Sequence, residues 1–251
     1  MKRDGLKGAV LLLVVVLLVA SIVLAAPHTP SELNNEGSST RVEGTTGTAI
    51  NAEAGNVSEL SINHSKITDG WQGYYGNVTG QIVLDDALNN SMYTWELVNP
   101  EGEIYATRDT DGISWTAGNI ICAMSAHVEA EESTLNFNLG TGQDVDGINE
   151  TFAQTTHPGF NVSSTGFNAD ACNYSVSTYV DDTADTNRAF NETLLYSTSD
   201  TSLVYAALIN PGSSDGFKDD NTNYDFQMLV AEDGHDGDTS VTDYYFYVEL
   251  S

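Results

Sequence analysis

The chain is 251 residues long and carries 36 acidic against 8 basic side chains, a net charge of −28 at neutral pH. So acidic a surface argues against nucleic acid as a partner, which is bound through a basic face, and against adsorption to anionic lipid. Two cysteines, with no CxxC and no paired Cys/His spacing, argue equally against zinc and c-type haem.

The chain opens MKRDGLKG, where Lys2, Arg3 and Lys7 outweigh Asp4, and continues in an unbroken apolar run from Ala9 to Ala26. A basic flank before such a run is an export signal, with the basic end held inside. About 18 residues is long for a cleaved signal and just enough to span a bilayer as a helix. Three fates follow. The first is cleavage before Pro27, for which Ala25 and Ala26 are suitably small but Leu24 or Val23 fits −3 poorly. The second is retention as a membrane anchor. The third is cleavage after Gly8, which leaves Ala9–Ala26 as an assembly helix; the Lys7-Gly8-Ala9 junction resembles those of archaeal pilin and archaellin precursors, with Leu13 where many pilins carry Glu. A buried core helix is a poor alternative, because no polar residue interrupts the run before Ser21. The first 26 residues carry +2 of the −28, so residues 27–251 carry −30.

Residues 27–47 are rich in Pro, Ser, Gly and Thr and read as a polar linker. Residues 48–251 read as one ectodomain, with a subdivision near 130–150 as an option. Its pattern is short strands between turn signals. Strands are expected over Asn56–Asn63, Val78–Asp85, Ser91–Asn99, Glu103–Arg108, Ile120–Glu129, Thr134–Leu139, Asn173–Val180, Phe190–Ser197, Ser202–Asn210, Tyr224–Ala231 and Tyr244–Leu250. Tyr93-Thr94-Trp95-Glu96-Leu97 alternates, which points to one buried and one wet face. Leu203–Ile209 is apolar throughout and reads as buried on both faces. No segment after residue 26 sustains a 3.6 period. The expected fold is all-β, an antiparallel β-sandwich (one large or two small), preceded by a single N-terminal hydrophobic helix.

Outside the cell, Cys122 and Cys172 are expected to form a disulfide. N-x-S/T occurs at Asn56, Asn63, Asn77, Asn89, Asn149, Asn161, Asn173 and Asn191, against roughly four expected by chance, and marks these as N-glycosylation acceptors. Three acidic loops carry side-chain oxygens at calcium-loop spacing: Asp144 with Asp146; Asp219, Asn221, Asn223 and Asp225; and the stretch Asp233–Asp238. None has the full EF-hand spacing, and a solvated turn is the plainer account of each. No cofactor is required; a structural Ca2+ is the one metal the pattern allows.

Trp71, Tyr74 and Tyr75 lie among glycines and are candidates to stack on a sugar ring; strand packing is the plainer account. Gly212-Ser213-Ser214-Asp215-Gly216 satisfies GxSxG, but a loop-like FKDDN follows where a nucleophile elbow needs a helix. The five histidines are dispersed, and no carboxylate pair stands out for glycosidase chemistry. No catalytic residue is assigned.

The blocks Trp71–Val78 (WQGYYGNV), Gly102–Arg108 (GEIYATR), Tyr224–Val230 (YDFQMLV) and Tyr244–Leu250 (YYFYVEL), with Ala54–Val57, resemble an uncharacterised set of exported archaeal cell-surface proteins over most of residues 42–250. The resemblance implies an archaeal envelope, a β-rich ectodomain and N-linked glycans, and carries over no functional residue. The expected role is a non-catalytic structural or adhesive surface protein, a filament or envelope subunit. Its partners would be copies of itself or other envelope proteins, with membrane contact only through residues 9–26. A glycan- or ligand-binding secreted module is the alternative, an extracellular hydrolase the second.

Overall fold

The computed structural model describes residues 26–42, 49–137, 144–180, 188–210, 216–218, 220–233 and 240–250. They form a mostly β, antiparallel fold. At its centre β4 (Gly102–Thr107) pairs with β10 (Ser202–Leu208). The sheet runs β12 (Tyr245–Leu250), β4, β10, β9 (Arg188–Ser197), β5 (Ile120–Cys122). The ten residues of β9 are enough to pair β5 along one half and β8 (Ser175–Tyr179) along the other, both on the edge away from β10. The sheet takes strands from both sides of the 130–150 region.

Both faces of this sheet are covered. Ile104, Ala106, Leu203, Tyr205 and Ala207 pack under the ribbon of β1 (Trp71–Gly76) with β11 (Phe226–Ala231), and under α1 (Ser125–Thr134) and α2 (Ile148–Thr151). Tyr105, Val204 and Ala206 face the other way, onto Trp115 and the hairpin of β6 (Phe160–Val162) and β7 (Thr165–Phe167). A strand covered on both sides has no place for alternating polar residues, which is why Leu203–Ile209 reads as continuously apolar. The Cys122–Cys172 disulfide ties β5 to the loop after β7. Closing its loop of 50 residues is worth about 4 kcal/mol in the chain-entropy model.

β11 meets β1 along one edge and reaches β9 through a side chain: a carboxyl oxygen of fully buried Glu192 accepts the Leu229 N–H at 2.8 Å. The blocks GEIYATR and YYFYVEL, and likewise WQGYYGNV and YDFQMLV, turn out to be partners, as β4 pairs with β12 and β1 with β11.

The all-β, antiparallel expectation holds at that level. The described sheets are one of six strands and three of two, rather than two large sheets face to face. Three strand expectations need correction. Asn56–Asn63 is exposed chain without a ladder partner. Ile120–Glu129 is a strand only to Cys122, then becomes α1. Residues 134–137 of the expected Thr134–Leu139 strand are the helix end and a turn. α1 buries only Val128 and Glu132, one turn apart, so its sequence shows no apolar stripe; Ala and Glu favour the helix locally. The expected helix over Ala9–Ala26 lies, but for its last residue, outside the described residues.

Candidate functional site

The most unusual feature is the ribbon of β2 (Gly80–Asp85) and β3 (Ser91–Leu97). Its turn is closed by Asp86, whose carboxylate accepts the N–H groups of Leu88 (2.8 Å) and Asn90 (2.9 Å) and the Asn90 side-chain amide (2.8 Å). These bonds hold the Asp86 carboxyl below the usual carboxylate range. Asn89 takes the left-handed conformation at φ 62° that asparagine tolerates. At the foot, Val78 N–H donates to Asp225 at 2.7 Å, and Gly80 lies against Leu97 and Leu250.

The register sorts the ribbon into two faces. Ile82 pairs with Trp95 and Leu84 with Tyr93; Gln81 pairs with Glu96 and Val83 with Thr94. Side chains alternate across a strand, so the first four share one apolar face and the others a mostly polar one. Among the described residues nothing covers the apolar face: Ile82 is 56 %, Leu84 51 %, Tyr93 59 % and Trp95 48 % exposed. The Tyr93 and Trp95 rings lie 4.7 Å apart. At its foot the face continues through Leu97 to Leu250, which packs on the main core. An isolated two-stranded ribbon is marginal in water, and an apolar sheet face needs a second layer.

A second exposed feature is the chain before β1. His28 bridges to Val248 on β12 through two backbone bonds, 3.0 and 2.8 Å. The expected linker over 27–47 therefore starts docked on the sheet. The chain rejoins the body where Thr68 donates to Asp146 and Trp71 Nε1 donates to the Asp146 carbonyl at 2.6 Å. In between, Ile50, Val57, Leu60 and Ile62 are exposed.

The structure separates the three aromatic candidates. Trp71 packs against Phe137 and Phe152, and Tyr74 lies edge-on to Phe246 at 5.2 Å. Tyr75 stays exposed, edge-on to Phe217 and Tyr224, with Lys218 Nζ 2.8 Å from its hydroxyl. Of the loop oxygens, the Asp146 carboxylate is bound to Thr68, and Asp225 caps Val78 N–H. Asp144 accepts the Gly147 N–H through its backbone carbonyl, closing the turn before α2. Asn221 stands at φ 55° in a turn two residues before Asn223. Asp219, most of Asp233–Asp238 and Gly212–Asp215 of the GxSxG string lie outside the described residues. Among the described residues, no group of three or more His, Cys, Asp or Glu is placed to hold a metal ion.

Asn56, Asn63, Asn77, Asn89, Asn149, Asn161 and Asn173 are exposed, whereas Asn191 is half-buried and accepts the Ser177 hydroxyl at 2.9 Å. Ser175 and Thr193, the hydroxyl residues of the last two sequons, are buried and bonded to each other at 3.0 Å.

Two polar clusters escaped the sequence reading, because each is made by strands distant in sequence. A cleft of about 220 Å³ is lined by Arg108, Asp109, His127, Glu131, Tyr196 and Asp200, among others. Its guanidinium is engaged by both oxygens of Glu131 at 2.7 Å, and its imidazole stacks on Tyr196 at 3.6 Å. The second cluster is Glu103, directly opposite Glu249 across β4 and β12, with the Tyr105 hydroxyl between them at 3.5 and 3.4 Å. Burial, then the charge of Glu249, pushes Glu103 up to about 8, so it keeps its proton at neutral pH. Burial raises Glu249 as well, while its bond from Ser163 N–H (2.8 Å) pulls the other way. The β6–β7 hairpin lies over this pair, and Glu103 and Glu249 are 7 % and 5 % exposed.

No protein-family model, no curated protein and no solved structure matches this chain.

Proposed function

We propose that this protein is an exported, non-catalytic structural or adhesive component of an archaeal cell surface, a subunit of a filament or of the envelope that carries N-linked glycans. The observation that carries the reading is the uncovered apolar face of the β2–β3 ribbon. A protein that works alone in water rarely leaves such a face open; one that works against other proteins needs it. Exposed sequons fit the same role, since an acceptor must lie at the surface of the exported domain. In this reading the six-stranded sheet and the β1–β11 ribbon form the two layers of a sandwich, and Ala9–Ala26 directs export and either anchors the chain or joins subunits.

The test is recovery from cells. Gentle extraction of the envelope, followed by sizing and by determination of the mature N-terminus, is expected to give the protein in surface assemblies. A start at Ala9 identifies subunits joined by the apolar helix, an intact Met1 a tethered ectodomain, and a start near Pro27 a domain held by its folded part alone. Recovery from the cytoplasm, or only as free monomers, would sink the reading.

A further inference from the structure

We propose that the apolar face of the β2–β3 ribbon docks on the same face of a second copy of this chain. The inference rests on the reading of the protein as an assembly subunit, which supplies neighbouring copies at high local concentration. Three observations select this occupant. First, the face contains no charged side chain. Asp85 and Glu96 stand at its end or on the opposite face, so a chain of charge −28 meets itself here without placing like charges in the contact. The same acidic rim opposes an anionic lipid surface. Secondly, the area fits a reversible pair. With about half of each of four large side chains open, two of them aromatics of roughly 150–250 Å², two such faces bury on the order of 800 Å². That lies in the range of weak, transient interfaces. Thirdly, the geometry closes. Sheets stack about 10 Å apart, and a two-fold axis across the strands keeps the two bodies at opposite ends. Ile82 of one copy then lies over Leu84 of the other, and Trp95 over Tyr93. Leu88 at each tip, 81 % exposed, reaches toward Leu97 and Leu250 at the other foot. The contact is isologous and makes dimers, not open chains.

Sedimentation velocity of the full chain from roughly 10 to 500 µM, in molar salt to screen its charge, tests the contact. A concentration-dependent dimer is expected. Leu84→Lys raises its Kd tenfold or more, while Val83→Lys, one residue along and on the other face, leaves it unchanged. Melting temperatures show whether either variant has damaged the monomer. Mixing Ile82→Cys with Leu84→Cys chains and adding a bis-maleimide about 10 Å long, the spacing of stacked sheets, needs no disruptive side chain and is expected to link two copies. A wild-type chain that stays monomeric throughout, a dimer that survives Leu84→Lys, equal weakening by Val83→Lys, or no link between copies each overturn the contact. A monomer whose Trp95 is already shielded from acrylamide does so as well, because the chain's own residues 49–63 would then cover the face. Dimers from a chain absent from the cell surface would uphold the contact and remove the surface reading; a surface protein that stays monomeric would do the reverse.

Discussion

Glu103 shows how a single carboxyl sets a pH dependence that composition hides. Its unfolded form titrates near 4.5 and its folded form near 8, so between these values the native state holds the extra proton. Stability from this group is therefore full below about 4.5 and is lost as the pH rises to about 8, by up to about 4 kcal/mol. Burial raises Glu249 and Glu192 too, and their effect has the same sign. Glu103→Gln keeps the shape without the titration. It is expected to flatten the decline of melting temperature between pH 5 and 8 and to stabilise the protein at pH 9; an unchanged profile would refute the assignment. By composition Glu103 is only one of 36 acidic side chains. Nothing in Gly102–Arg108 marks it. The position becomes special only when β12 brings Glu249 opposite and β6–β7 closes over both.

Among the elements, the strands with strong β-branched or aromatic runs were legible, and so was Leu203–Ile209 as doubly covered. The ribbon's alternation was legible as well, from Tyr93 to Leu97; what could not be read was that its apolar face would find no cover among the described residues. Asn56–Asn63 shows the limit of local pattern, because a strand needs a ladder and no described strand offers it one. Trp71, Tyr74 and Tyr75 were candidates to stack on a sugar ring, with strand packing the plainer account; the core takes Trp71 and Tyr74 inward and leaves Tyr75 outside. The β4–β12 pair offers a sharp test of register. Gly102 opens β4 at φ +131°, and an added Cβ would run into the Glu249 carbonyl oxygen. Strain and collision act together there, so Gly102→Ala is expected to cost roughly 2 kcal/mol or more. Chemical denaturation reads this directly, and a neutral result would show that β12 pairs otherwise.

For the whole molecule, charge dominates. At −28 the folded chain repels itself, and the Debye length shrinks from about 10 Å at 0.1 M salt to about 3 Å at 1 M. Raising salt from 0.1 to 2 M is expected to raise the melting temperature and to favour association together; a melting temperature independent of salt would show that the carboxylates are already compensated. The two ends of the exposed chain before β1 also have a mechanical consequence. A pull applied on the N-terminal side meets first the two backbone bonds between His28 and Val248. Once these part, the stretch from His28 to Arg41 straightens, about 45 Å when fully extended, until the load meets the bond from the Arg41 guanidinium to the Ser65 carbonyl. The fold thus carries a length of releasable tether in series with its body, and modest tugging is taken up before any strand of the core feels it.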